Sequence, residues 1–122
     1  MAKKILIVDD EEKIRKVLRI HLGKAGYEII EADNGFDALK AMDEKLPDLV
    51  ITDIMMPKLS GLELGSAIGY RQETRQIPLI VISAKTDPDT VLTAKKLNAA
   101  KFFAKPFEMA SLLESVKKIL GE

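Results

Sequence analysis

The sequence predicts a doubly wound α/β domain, in which five helices cover both faces of a five-stranded parallel sheet. Two patterns predict this fold class. Short apolar runs alternate five times with longer stretches of helical periodicity, and most of the runs are apolar at every position rather than at every second one. Such runs suit strands that are covered on both faces, as in a parallel sheet joined by right-handed crossovers.

Five runs are predicted to be strands because they are too short for a typical helix and rich in β-branched or aromatic residues. In chain order they are KILIV at 4–8, YEIIEA at 27–32, DLVIT at 48–52, PLIVIS at 78–83 and KFFA at 101–104. The second run is the weakest strand signal of the five.

Helical periodicity follows each of these runs. Residues 11–24 and 108–120 place apolar side chains three and four positions apart, which is the pattern of an amphipathic helix. Residues 34–45 carry a shorter version of the same pattern. These three segments are predicted to be the first, fifth and second helices.

The other two helices are predicted from their ends and their glycines. Asp87 is expected to cap the fourth helix and Pro88 to occupy its first position, and Asn98, which tolerates the left-handed conformation, is expected to end it. The third helix is predicted over residues 61–72. It is expected to be weak, because it contains two glycines that each cost about 1 kcal/mol relative to alanine in a helix.

Length and composition narrow the class of protein. The 122 residues fit one domain, predicted to span 1–122. Nineteen basic residues balance nineteen acidic ones, so we expect no direct nucleic-acid partner. Cysteine is absent, which excludes a disulfide framework and a thiolate zinc site. No apolar run approaches the length of a membrane span, and the expected location is the cytoplasm.

Polar residues collect where the predicted strands end. Asp9 and Asp10 follow the first strand, Asp53 ends the third, Ser83 ends the fourth and Lys105 follows the fifth. The carboxyl ends of the strands in an open α/β sheet form its binding site. We therefore expect three carboxylates, one hydroxyl and one ammonium to converge there.

This combination favours phosphoryl chemistry. Three crowded carboxylates repel one another, and Mg²⁺ with oxygen ligands would neutralise them. A carboxylate beside such a cation can attack phosphorus and form an acyl phosphate. The cation, Lys105 and the Ser83 hydroxyl could then each hold one oxygen of the phosphoryl group.

Four motifs carry a resemblance to a known family. ILIVDDE, DLVITDIMMPKLSG, PLIVISA and KFFAKPF, in this order and spacing, resemble the receiver domain of two-component response regulators over essentially the whole chain. The resemblance is to receivers of the chemotaxis-regulator type. It implies a flavodoxin-like (βα)5 fold with strand order 2-1-3-4-5.

The resemblance also implies a metal site. Asp53 is similar to the phosphoacceptor of the family. Asp10 and Asp53 are similar to its direct ligands of Mg²⁺ or Mn²⁺, with the Met55 backbone carbonyl as a third ligand. Asp9 is similar to the acid that holds the metal-bound waters.

Further roles implied by the resemblance concern the switch. Lys105 matches the lysine that binds the phosphoryl group, and its bond to Pro106 is expected to be cis. Ser83 stands at the switch hydroxyl. Phe102 stands at the aromatic position that changes rotamer on activation.

The implied function is signalling rather than turnover of a substrate. A histidine kinase or a histidine phosphotransfer protein would supply the phosphoryl group, and the chain would catalyse only its own phosphorylation and dephosphorylation. Phosphorylation would change a partner-binding surface on the fourth helix, the fifth strand and the fifth helix. A downstream effector protein, or an output domain removed from this chain, would read that surface.

The chain departs from the family pattern at several positions. Ser83 replaces the more usual threonine but keeps the hydroxyl. Lys101 and Ser115 stand where winged-helix regulators carry an acid and an arginine that pair across a dimer, so the sequence argues against that dimer. Met55 and Lys85 occupy positions that tune self-dephosphorylation in the family.

Other interpretations of the same residues stay open. Asp10 could be the N-cap of the first helix, Ser83 a turn residue and Lys105 a solvated lysine. A phosphatase of the dehalogenase-like class also uses an aspartate nucleophile with Mg²⁺, but it needs a second aspartate where this chain has Met55. An interaction module that is never phosphorylated and an engineered receiver are the remaining alternatives.

Overall fold

Strands and helices alternate along the chain in the computed structural model, which describes residues 2–54, 60–84 and 86–122. The strands are β1 (Lys4–Val8), β2 (Glu28–Ala32), β3 (Leu49–Asp53), β4 (Leu79–Ser83) and β5 (Lys101–Ala104). The helices are α1 (Glu12–Lys24), α2 (Gly35–Glu44), α3 (Gly61–Tyr70), α4 (Pro88–Lys96) and α5 (Met109–Ile119). All strand pairs are parallel, in the order β2-β1-β3-β4-β5. The predicted fold class and strand order are confirmed.

The sheet separates two apolar layers, and successive residues of each strand belong to opposite layers. In β1, Leu6 and Val8 lie with α2, α3 and α4, whereas Ile5 and Ile7 lie with α1 and α5. All four side chains are at most 1% exposed. Burial of each such side chain contributes about 1.5–3 kcal/mol. Coverage on both faces explains why the central strands are apolar at every position.

The two edge strands are less deeply buried. Every residue of β3 and β4 is buried, but β2 is mostly half-buried, which accounts for its weaker apolar pattern. In β5, Phe102 and Phe103 are half-buried and pack into opposite layers, while Lys101 and Ala104 are exposed. The exposed side of β5 therefore contributes polar and apolar groups to the surface.

Side-chain caps fix the ends of several helices. Asn34 and Asp87 each accept a hydrogen bond from the amide three residues later, at the starts of α2 and α4. Ser60 and Glu63 form a reciprocal capping box at the start of α3. Asn98 has a φ of 63°, just after α4 ends. The predicted cap at Asp87 and the left-handed Asn98 are confirmed.

The third helix ends at Tyr70, two residues earlier than predicted. Gly65 lies against the end of α4, because a Cβ at this position would stand 2.9 Å from Cδ1 of Leu97. A Cβ at Gly69 would meet nothing within 4 Å. Close approach to α4 thus explains Gly65 but not Gly69, and the capping box offsets part of their combined cost.

Candidate functional site

The carboxyl edge of the sheet brings the predicted acids and the lysine together. Asp53 is the last residue of β3, and Asp9 follows β1, its neighbour in the sheet. Lys105 follows β5 and reaches across the end of β4. The convergence of strand ends thus places these side chains as the sequence predicted.

Lys105 lies at the centre of the cluster. Its ammonium donates hydrogen bonds to Asp53 Oδ2 at 2.7 Å and to Glu11 Oε1 at 2.9 Å, and forms an ion pair with Asp9 Oδ2 at 3.0 Å. The side chains of Lys105, Asp53 and Asp9 are 9%, 7% and 2% exposed. Water therefore screens these charges only weakly. The alternative of a solvated Lys105 is wrong.

Burial and charge shift the proton affinities of this cluster. Burial is the largest influence on Asp9 and raises the pKa of its carboxyl, and the Asp53 charge adds to that rise against the opposing Glu11 amide and Lys105. Burial opposes the charge of Lys105, but its contacts with Asp53, Glu11 and Asp9 outweigh burial and raise the pKa of the ammonium. Lys105 is therefore a permanent cation near neutral pH.

The acids at this edge fit a hard divalent cation. Carboxylate oxygens of Asp9, Asp10, Glu11 and Asp53 all lie within 4.8 Å of one another. Asp9 Oδ2 is buried, and apart from its 3.0 Å ion pair with the Lys105 ammonium it has no partner in the part of the chain that the structure describes. A buried anionic oxygen in that state can accept from a metal-bound water. Oxygen donors of this kind are those that Mg²⁺ prefers.

Ser83 and Phe102 lie beside the cluster. Ser83 is fully buried at the end of β4, one residue beyond Ile82, which pairs with Asp53. The Lys105 amide donates a hydrogen bond to the Ser83 carbonyl at 2.8 Å. Phe102 packs against the apolar layer that contains α4. Ser83 is thus joined to Lys105 through the backbone, and Phe102 lies on the neighbouring strand β5.

Two of the positions discussed from the sequence fall outside the described residues, and the predicted cis peptide bond can be checked. The Met55 carbonyl and Lys85 lie outside the described ranges. The bond between Lys105 and Pro106 is cis, as predicted.

Asp10 is exposed and stands just before the N-cap of α1, which is Glu11. Neither residue's side chain caps the helix. The interpretation of Asp10 as an N-cap is therefore wrong, and its carboxylate is available to the acidic cluster.

Two residues of the site were not predicted from the sequence. Glu11 accepts a hydrogen bond from the Lys105 ammonium. Arg15 donates a hydrogen bond to the Asp9 carbonyl at 2.6 Å. The available signals were an acid directly after the acidic pair and a basic residue one helical turn later.

Comparison with known proteins identifies the family. The family model of the response regulator receiver domain matches residues 5–117. The chain belongs to the response regulator receiver domain family. Receiver domains of response regulators are signalling domains rather than enzymes with a turned-over substrate.

Among the residues that the structure describes, no helix is long and apolar enough to cross a membrane.

Two curated relatives differ in how much of their length this receiver domain spans. It is 37% identical to sporulation initiation phosphotransferase F of Bacillus subtilis, over 98% of this chain and 95% of that protein. It is 38% identical to the alkaline phosphatase synthesis transcriptional regulatory protein PhoP of the same organism, over 98% of this chain and 49% of that protein. The chain thus spans about half the length of PhoP.

Solved structures share the fold along the whole chain. A response regulator structure from Chloroflexus aurantiacus superimposes with a TM-score of 0.94 at 31% identity and covers 100% of both chains. The chemotaxis response regulator CheY4 of Vibrio cholerae superimposes with a TM-score of 0.90 at 28% identity, over 98% of this chain and 99% of that one.

Proposed function

We propose that this receiver domain accepts a phosphoryl group on Asp53 from the phosphohistidine of a histidine kinase or a histidine phosphotransfer protein. One observation carries the proposal: the buried Asp53 carboxylate lies 2.7 Å from the Lys105 ammonium within a cluster of four acids. An acid that only ends a strand would not need a buried cation beside it or three further acids around it. The similarity to a curated phosphotransferase supports the same chemistry.

The transfer step uses Asp53 as nucleophile. A carboxylate oxygen of Asp53 forms a bond to phosphorus while the bond between phosphorus and the imidazole nitrogen breaks, and the electron pair leaves with the imidazole, which takes up a proton. Negative charge on the phosphoryl oxygens needs cationic partners during this step. Lys105 donates a hydrogen bond to an oxygen of the acceptor carboxylate, and in this proposal it would also bind the incoming phosphoryl group.

Asp10 and Asp53 would hold Mg²⁺ directly, and Asp9 would hold its bound waters. A bound Mg²⁺ supplies charge neutralisation, which lets the crowded acids approach a phosphoryl group. The Met55 carbonyl is proposed as the third protein ligand. Glu11, at 2.9 Å from Lys105 and 58% exposed, is a counter-ion of the lysine rather than a ligand in this proposal.

The phosphorylated state would be read through Ser83 and Phe102. The Ser83 hydroxyl would donate a hydrogen bond to the phosphoryl oxygens. This bond would draw the end of β4 toward the phosphoryl group and let Phe102 turn farther into the layer beneath α4. A charge added at one strand end would thereby bias a two-state packing arrangement.

The surface formed by α4, β5 and α5 is proposed as the one that the partner reads. It carries two shallow grooves of about 300 and 250 Å³ that meet at Ala100 and Lys101. Phe102 lines the first groove, so a change in its rotamer would alter the surface directly.

Charge indicates the kind of partner that this surface fits. Lys95 and Lys101 line the first groove, and Lys101 and Lys118 line the second. No acidic residue lines either groove in the described part of the chain. We propose that an acidic segment of an effector protein or output domain, with apolar side chains for the grooves, binds here.

Chemical trapping tests where the phosphoryl group resides. The chain is phosphorylated with acetyl phosphate and Mg²⁺, reduced with borohydride, which converts an aspartyl phosphate to homoserine, and digested for peptide mass mapping. The proposal expects homoserine at position 53. Homoserine at Asp9 or Asp10 instead would overturn the assignment of the acceptor.

A further inference from the structure

Arg15 joins α1 to the backbone of the acidic cluster. Its Nη1 donates a hydrogen bond to the Asp9 carbonyl at 2.6 Å, and its Nε donates one to Glu31 Oε1 at 3.3 Å. The side chain is 16% exposed. It makes no described contact with a carboxylate of the acidic cluster, so it acts on the backbone of the cluster and not as a counter-ion.

The contact falls on the peptide bond between two metal-binding acids. The Asp9 carbonyl belongs to the planar peptide unit that also contains the Asp10 nitrogen. The Asp9 amide donates to the Ala32 carbonyl at 3.2 Å, and Asp9 Oδ1 accepts from the Glu11 amide at 2.9 Å. The hydrogen bond from Arg15 therefore fixes the orientation of the peptide plane between Asp9 and Asp10.

Asp10 depends on this backbone more than its neighbours do. Lys105 holds the carboxylates of Asp9, Glu11 and Asp53. Within the described residues, no hydrogen bond or ion pair holds the Asp10 carboxylate. The backbone position from which this side chain extends is therefore set by the peptide unit that Arg15 clamps.

Glu31 on β2 holds Arg15 in place. Its other oxygen accepts from Arg19 Nη1 at 2.7 Å. Arg15 and Arg19 both tie α1 to β2 through the same carboxylate, but only Arg15 reaches the backbone beside Asp10. A role limited to tying the helix to the strand would therefore give the two arginines similar effects.

We propose that Arg15 is a positioning residue, which clamps the peptide bond between Asp9 and Asp10 and so aims Asp10 at the divalent cation. The inference rests on the proposed function, because it takes Asp10 as a metal ligand. Groups that orient metal ligands typically change metal affinity by about 10–100-fold when they are removed.

Mn²⁺ binding to the full chain, measured by electron paramagnetic resonance of the free ion, tests this role without a phosphodonor. Arg15→Gln is compared with Arg19→Gln, and thermal unfolding of both variants is measured without metal. We expect Arg15→Gln to weaken Mn²⁺ binding by about tenfold and Arg19→Gln by less than about twofold. Arg15→Lys keeps the charge but loses the guanidinium, which donates to Glu31 and to the Asp9 carbonyl at the same time. The Mn²⁺ affinity of this variant is expected to lie between those of Arg15→Gln and the unsubstituted chain.

The outcomes separate the inference from the proposed function. Equal Mn²⁺ affinities in the Arg15→Gln and Arg19→Gln variants would overturn the positioning role and leave the metal site intact. If Arg15→Gln fails to fold, Arg15→Lys decides between the same two results. Absence of Mn²⁺ binding by the unsubstituted chain would overturn the proposed metal site, and the inference with it.

Discussion

The ammonium of Lys105 lies 2.7 Å from Asp53 Oδ2 and 3.0 Å from Asp9 Oδ2. Lys105 thus neutralises the same buried carboxylates that would bind a divalent cation. In the proposed site a bound Mg²⁺ would compete with Lys105 for these carboxylates, because it would use Asp53 as a direct ligand and Asp9 through its bound waters. This competition gives the site a measurable property that an ordinary surface ion pair lacks.

Lys105→Met is expected to destabilise the chain and strengthen its stabilisation by Mg²⁺. In metal-free buffer the free energy of unfolding should fall by about 3–5 kcal/mol, because two buried carboxylates lose their cation. Added Mg²⁺ should raise the unfolding temperature more than in the unsubstituted chain, since no ammonium competes. Calorimetry with and without Mg²⁺ measures both effects.

Lys101→Met is the matched control for that experiment. Lys101 is exposed on β5. The Lys101→Met substitution should therefore change the free energy of unfolding by less than about 0.5 kcal/mol. Equal Mg²⁺-induced shifts in the two variants would rule out competition at Lys105.

Asp9→Asn is expected to stabilise the metal-free chain and weaken Mg²⁺ binding. Burial raises the pKa of the Asp9 carboxyl, so its ionised form is disfavoured in the folded state relative to the unfolded chain. The stability that Asp9 contributes is present below its unfolded pKa of 3.8 and is lost as pH rises through the higher folded value. At neutral pH the neutral amide should therefore raise the unfolding temperature. A lower unfolding temperature would show that the Lys105 contact outweighs burial.

The two glycines inside α3 should respond differently to alanine. Gly69→Ala should raise the free energy of unfolding by about 0.5–1 kcal/mol, because the added methyl group meets open space and alanine favours a helix. Gly65→Ala should gain less or lose stability, because its methyl group would press on Leu97. Urea unfolding of both variants measures the difference. Equal effects would mean that α4 moves away from α3 without cost.

The phosphorylated chain is expected to remain monomeric. Lys95, Lys101 and Lys118 border the proposed partner surface, and a symmetric dimer through it would bring like charges together. Sedimentation velocity at low salt should give the 13.5 kDa monomer before and after phosphorylation. A phosphorylation-dependent dimer that Lys101→Glu disrupts would contradict this account of the surface.

The fold and the centre of the site were predictable because strand ends fix them. Apolar runs without alternation predicted buried parallel strands, and the polar residue after each run was then placed at one edge. The observed contact between Lys105 and Asp53 follows directly from that geometry. The length of α3 was less predictable, because its two glycines leave the extent of the helix to its packing.

Glu11 and Arg15 could not be placed from the sequence. Their contacts depend on how far α1 is rotated against the end of β1, and apolar periodicity defines only the face that carries Leu18 and Leu22. The partial burial of Phe102 could not be predicted from the sequence either. Alternation predicts which layer it joins, but only the edge position of β5 determines how much of it remains exposed.

Intact mass after incubation with acetyl phosphate, with and without Mg²⁺, tests the central claim most directly. The account predicts a gain of one phosphoryl group that requires Mg²⁺, is removed by hydroxylamine and is absent from the Asp53→Asn variant. An unchanged mass under every condition, or an equal gain in Asp53→Asn, would contradict the assignment of Asp53 as phosphoacceptor.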